Sequence, residues 1–253
     1  MVSVFQAIIL SVVQSITEWL PVSSSGHLAL MQHFFGFQNL TFDVYLHFAS
    51  ILAVIYVFRS DIIKLLDLRK LENQRYAAYL IIAVIPIAIV GLTFRDAIES
   101  VFSNMVSLGI FFLISGAIVF STKFVKEKKE KKRKVGLMES ITIGLFQALA
   151  ILPGISRSGA TISAGLFSGL KKEQVIKFSF LLAIPTVLGA SVLEARNMAF
   201  SGLDLQVLLI SFIVTFLVSI LAIKLLLKII RKQGFHWFGV YNILVGLLIL
   251  IFL

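Results

Sequence analysis

Two short turns hold the residues most able to do chemistry: Pro21-Val22-Ser23-Ser24-Ser25-Gly26-His27 and Pro153-Gly154-Ile155-Ser156-Arg157-Ser158-Gly159-Ala160-Thr161. Both are set in apolar sequence, where hydroxyls, backbone amides and a guanidinium are costly to bury, so each turn is expected to bind something. The donors they offer suit a phosphate. Arg157 is the most specific, because its planar fork matches phosphate oxygens two at a time, and Ser156, Ser158 and Thr161 add donors around it. Ser23, Ser24, Ser25 and Gly26 have the make-up of a helix N-terminus built for an anion. Capping alone accounts for one of these serines but not for three followed by Gly26-His27. His27 can act as acid, base or nucleophile.

Nine residues before His27 stands Glu18, which shares a helix face with Gln14. A carboxylate inside a membrane segment is a functional candidate by default; the plainer alternatives are a cap at the water interface or an ion pair with Arg157. His33, Asp43, His47 and His236 read as structural or interfacial. The remaining set fits metal-assisted phosphoryl transfer, in which catalysis is mostly positioning and charge neutralisation, with Glu18 and Gln14 as the candidate metal position.

The elements that must position these residues are legible from composition. Of 253 residues 58% are hydrophobic and 14% charged, against about a quarter charged in a soluble domain, so a polytopic membrane protein is expected. Cysteine is absent, which excludes disulfides and thiolate metal sites. The net charge of +10 falls in clusters rather than on one face; that pattern reads as topology and not as a nucleic-acid surface. Six runs approach the ~20 apolar residues that cross a bilayer, near 41–58, 76–94, 103–122, 178–195, 207–227 and 236–253. Two other regions have short apolar arms on either side of the polar turns, 4–20 with a piece to about 37, and 137–152 with a piece to about 169. These read as re-entrant helical hairpins, tolerated where they line a protein cavity rather than face lipid.

The order is hairpin, three spans, basic linker, hairpin, three spans. A shift of 133 residues superposes Gln14 on Gln147, Ser23 on Ser156, Ser25 on Ser158 and Gly26 on Gly159. The expected fold is therefore all-α: one integral domain of six transmembrane helices and two re-entrant hairpins, in repeats of approximately 1–122 and 137–253 joined by a linker at 123–136. Three spans per half makes the second repeat inverted. Basic residues collect in 59–75 (Arg59, Lys64, Arg69, Lys70, Arg75), in the linker (Lys123, Lys126, Lys128, Lys129, Lys131, Lys132, Arg133, Lys134), at Lys171, Lys172 and Lys177, and at Lys228, Arg231 and Lys232. The connections near 95–102 and 196–206 have one each, Arg95 and Arg196. Six spans put all four clusters on one side, the cytoplasmic side by the positive-inside rule, with both termini outside. The first hairpin then opens outward, the second inward, and their polar tips can meet near mid-membrane.

On Gln14-Ser-Ile-Thr-Glu18, Pro21–His27, Pro153–Thr161 and the stretch FSFLLAIPTVLGA at Phe178–Ala190, the chain resembles the undecaprenyl-diphosphate phosphatase family linked to bacitracin resistance, over essentially its whole length. The resemblance implies a bacterial inner-membrane enzyme that hydrolyses undecaprenyl diphosphate to the monophosphate and phosphate, recycling the lipid carrier for peptidoglycan and other envelope polymers. It also implies a divalent cation, Mg²⁺ or Ca²⁺, a polyisoprenyl diphosphate substrate among membrane lipids, an active site reached from the outer face, and a homodimer. By position it carries over Glu18, Ser24, His27, Ser156, Arg157 and Thr161. Relatives often have a glutamate where this chain has Gln14, leaving one carboxylate in the pair; Mg²⁺ commonly needs only one or two, with substrate phosphates and water. Ser24 is then the expected nucleophile with His27 as its base, and His27 as direct nucleophile the second choice. The broader lipid phosphate phosphatases continue after their arginine to a second histidine, where Arg157 is followed by Ser-Gly-Ala-Thr. A transporter or flippase for an anionic lipid shares the inverted-repeat architecture and is the rival outside the enzymes.

Overall fold

Helix boundaries fall where the sequence places breakers and caps. The computed structural model describes residues 2–36, 39–94, 98, 104–125, 134–195, 204–231 and 234–253. The connection charges Arg95 and Arg196, the linker residues Lys126, Lys128, Lys129, Lys131, Lys132 and Arg133, and Lys232 lie outside the described residues. The described chain is helical: α1 (Val4–Trp19), α2 (Ser24–Phe35), α3 (Leu40–Val57), α4 (Arg59–Leu66), α5 (Leu71–Thr93), α6 (Met105–Ser121), α7 (Leu137–Leu149), α8 (Arg157–Phe167), α9 (Lys172–Ala195), α10 (Leu205–Arg231) and α11 (Trp237–Phe252). Among those residues there is no strand.

The segments expected to form the hairpins are α1/α2 and α7/α8, and in each a polar turn separates two short helices. α1 starts on a capping box between Ser3 and Gln6 and ends before Pro21, because a residue preceding proline is pushed out of the helical region. α2 begins on the cap of Ser23 and stops at Gly36, whose φ of 69° is the left-handed conformation usual at a helix end. α8 begins the same way on Ser156. The caps of α2 and α8 are alike. The Gly26 N–H donates to Ser23 Oγ at 3.4 Å and the Gly159 N–H to Ser156 Oγ at 3.0 Å.

Among the described residues four helices are long and apolar enough to span a membrane, Leu71–Thr93, Met105–Phe124, Lys172–Leu193 and Leu205–Ile229, and α3 with α4, bent by 75° at their junction, makes a fifth if the pair is counted as one span. The run expected to span at 236–253 forms α11, 16 residues, which is about 24 Å long at helical rise. α10 shows how such a protein is arranged. Leu205, Leu209, Ile213, Leu217, Leu221 and Leu225 recur every fourth residue and point outward, while Ser211, Thr215 and Ser219 are fully buried. That is the reverse of a soluble helix. Lipid is as apolar as leucine, so helices here associate through close backbone approach at small residues.

Three seams are built this way. α1 lies on α10, with Ser11 and Ser15 against Thr215, whose carbonyl accepts from Ser15 Oγ at 3.1 Å. α7 lies on α5, with Gly144 over the Ala83 carbonyl and Gln147 Nε2 donating to that carbonyl at 3.2 Å. α6 lies on α11, where Gly109 meets Gly246 and Gly116 meets Gly239. Larger side chains fill the centre, where Trp19 stacks on Phe180 at 5.3 Å and Phe180 on Phe58 at 5.4 Å. Ion pairs gather three of the basic segments at one end of the molecule: Asp61 with Lys177, and Glu72 with Lys134 at 2.8 Å.

Candidate active site

The tips of the two hairpins touch. A Cβ added to Gly26 would meet the Phe112 ring at 2.6 Å and the Gly154 Cα at 3.1 Å, so only glycine fits where the tips cross α6. Gly154 itself has φ of 95°, in the left-handed region that glycine enters without penalty. Polar side chains from neighbouring helices lock the junction. Asn242 Nδ2 on α11 donates to the Pro21 carbonyl at 2.9 Å and to Ser115 Oγ on α6 at 3.3 Å, and Ser115 Oγ accepts the Ser156 N–H at 3.1 Å. Ser158 Oγ donates to the Leu20 carbonyl at 3.1 Å, and Thr161 Oγ1 pairs with Ser179 Oγ at 2.6 Å.

Glu18 is the centre of what the tips enclose; it is 7% exposed. Arg157 pairs with its Oε1, and its Oε2 accepts from Ser24 Oγ, from Gln14 Nε2 at 3.2 Å and from His47 Nε2 at 3.2 Å. The Arg157 guanidinium also lies over the Trp19 ring, 5.6 Å from its centroid. Ser24 and Arg157 are the first residues of α2 and α8. One carboxylate thus gathers the N-termini of α2 and α8, where first-turn N–H groups lack intrahelical partners.

The structure does not build the expected pairing of Ser24 with His27. Ser24 is bonded to Glu18. His27 Nδ1 bonds the Ser23 carbonyl at 2.7 Å, and its Nε2 bonds the Tyr241 hydroxyl at 2.8 Å beneath the stacked tyrosine ring. Since a carbonyl only accepts, Nδ1 carries the hydrogen and Nε2 accepts from the phenol. Ser23 and Ser25 contact each other through their hydroxyls at 3.4 Å, and Ser156 and Ser158 do so at 3.2 Å. Ser23 alone among the described non-glycine residues has positive φ, 66°; backbone held there costs about 1–3 kcal/mol and clusters at functional sites.

Several members of this site escaped sequence reading. His47 touches Glu18 directly, although it read as structural, and its Nδ1 bonds the Asp43 carbonyl at 2.8 Å. Asp43 and His47 stand four apart in an apolar helix, and that pair of ionisable groups at membrane depth was the available signal. Tyr241, Asn242 and Ser115 had none, being ordinary residues of apolar helices brought in by packing.

Gln14 Oε1 is buried without a partner beside the Glu18 carboxylate. No group of three or more His, Cys, Asp and Glu is arranged to hold a metal among the described residues. A cation there would take these two protein oxygens and complete its shell from substrate phosphates and water, as Mg²⁺ usually does.

A helical membrane protein with small residues at its seams, and with a carboxylate, a serine and an arginine gathered between two helix N-termini, belongs to the class of integral membrane proteins laid out for phosphate chemistry. Comparison with known sequences narrows the class. The profile described as "Bacitracin resistance protein BacA" matches residues 7–248, and the chain belongs to that family. It is 39% identical to the undecaprenyl-diphosphatase of Carboxydothermus hydrogenoformans, across 98% of this chain and 96% of that one. It is 38% identical to the undecaprenyl-diphosphatase of Methanobrevibacter smithii (97% and 96% covered) and 38% identical to undecaprenyl-diphosphatase 1 of Shouchella clausii (99% and 96%).

Proposed function

We infer that this protein is a membrane phosphatase that hydrolyses undecaprenyl diphosphate to undecaprenyl phosphate and inorganic phosphate, with the bacitracin resistance its family is named for. Convergence of Ser24 and Arg157 on Glu18 from two helix N-termini carries the reading. Arg157, Ser156 and the hairpin amides take the diphosphate, which replaces Glu18 as the partner of the guanidinium. Ser24 Oγ then attacks the terminal phosphorus, its proton passes to Glu18 Oε2, and the bridging P–O bond breaks with undecaprenyl phosphate as leaving group. Water cleaves the phosphoserine, restoring the Ser24 hydroxyl, and the proton held by Glu18 is the one that hydrolysis sets free. Glu18 is favoured over His27 as the base because it already holds the Ser24 hydrogen. Direct attack by His27 Nε2 would first require Tyr241 to release it. A divalent cation, Mg²⁺ or Ca²⁺, held by Glu18 and Gln14 would supply further neutralisation of the diphosphate oxygens.

The reading extends to topology. The halves are taken as inverted repeats, supported by reciprocal packing in which the first arm of each hairpin lies on the middle span of the other half, α1 on α10 and α7 on α5. Basic segments are taken as cytoplasmic and the termini and active-site opening as outer, supported by the positive-inside rule and the contact of Asp61 with Lys177. A homodimer belongs to the same reading through the resemblance alone.

Purified protein given undecaprenyl diphosphate in detergent with Mg²⁺ or Ca²⁺ should release phosphate. Arg157→Ala should lower kcat/KM by about 10²–10³-fold, the loss typical when one charge-stabilising donor is removed. A flippase would release none, and turnover retained in Arg157→Ala would remove the arginine from the site.

A further inference from the structure

The donors that hold Glu18 are not equivalent once substrate enters. Arg157 leaves Oε1 when it grips a diphosphate, before the Ser24 hydrogen passes to Oε2. Gln14 stays, but it is neutral and stands one turn away on the same helix, so it holds Glu18 only from within α1. Among the protein's own side chains Ser24 and Gln14 then remain, both neutral, and a buried carboxylate facing neutral donors alone is costly to keep ionised. The other donor is His47 Nε2, 3.2 Å from Oε2, and it comes from α3, outside both hairpins.

The His47 ring is itself fixed. Nδ1 bonds the Asp43 carbonyl at 2.8 Å, the Asp43 carboxylate accepts from Gln32 Nε2 on α2 at 2.6 Å, and Gln32 Oε1 accepts the Asn39 N–H at 3.3 Å. This chain latches the start of α3 to the end of the first hairpin. The hydrogen bond at Nδ1 fixes the ring and sets which way Nε2 points.

We propose that His47 is a positioning residue for the hydrolysis, holding Glu18 Oε2 turned toward Ser24 while Arg157 passes to the diphosphate. This rests on the reading of the site as a diphosphate hydrolase. The test is steady-state phosphate release from undecaprenyl diphosphate by the full-length protein, its His47→Ala and His47→Gln variants, with thermal melting of each. Glutamine can place its Nε2 donor where the imidazole Nε2 stands, and alanine cannot. His47→Ala should lower kcat on the order of 10²-fold, as a misplaced reacting group does, with KM little changed. His47→Gln should recover most of that loss. An unchanged kcat in His47→Ala, a loss confined to KM, or equal losses of kcat in both variants would each overturn the proposal. A wild type that releases no phosphate overturns the hydrolase reading instead, a failure distinct from variants that turn over as fast as a working wild type.

Discussion

Ser24 and Arg157 stand 133 residues apart, the same shift that relates the two turns, so in the proposed repeat they are one position used twice. At the first tip it holds a hydroxyl and at the second a guanidinium, and both reach Glu18. The repeat position of Glu18 itself is Ile151, so the carboxylate exists in one copy and the site is made by asymmetry at two positions. Ser24→Ala tests the division of labour. With Ser24 as nucleophile, phosphate release should fall by about 10³-fold or more, as removal of a nucleophile does elsewhere, with the melting temperature close to wild type. Near-normal release would pass the role to His27 or to water. The candidate residues were legible one by one, because polar groups in apolar sequence are few and expensive. Their pairing was not. Ser24 with His27 as its base was the expected pair, but the turn of α2 directs Ser24 to Glu18 and His27 to Tyr241.

At the scale of elements the caps and breakers did most of the work. Pro21 and Pro153, followed by Ser23 and Ser156, ended and restarted helices where the sequence placed them. Apolar runs gave spans but not partners, since any leucine face suits lipid. Partners are chosen at the small residues, and the α6/α11 seam shows how tightly. A Cβ on Gly239 would lie 2.7 Å from the Gly116 carbonyl and 2.8 Å from the Phe120 Cα, with backbone on both sides. Gly239→Ala should therefore destabilise the protein by about 1–3 kcal/mol through overpacking, read as a lowered melting temperature in detergent. Gly189→Ala is the matched control, because nothing lies within 4 Å of a Cβ there; an equal drop in both variants would refute the account of the seam. The bend of α3 into α4 was not expected from the apolar run at 41–58, which stopped at Arg59. A charged, half-apolar segment after a span can continue as a helix once it lies along the membrane surface.

For the whole molecule, the proposed orientation follows from where the basic clusters fall, and the absence of cysteine makes it directly measurable. In right-side-out vesicles a membrane-impermeant maleimide should label Leu253→Cys and leave Lys134→Cys unmodified, and inside-out vesicles should give the reverse. Labelling of both positions from one side would refute the topology. The sequence by itself determined that the chain is a helical membrane protein and where polar turns break its apolar runs, because burying a charge or a backbone break in lipid is too costly to occur without cause. Only the tertiary structure decided that the two tips cross at Gly26 and Gly154, that Glu18 is their common acceptor, and that His47, Tyr241, Asn242 and Ser115 complete the site. Those contacts join residues from distant helices, and which helices meet is fixed by the fit of small residues across whole seams, a property no local stretch of sequence contains.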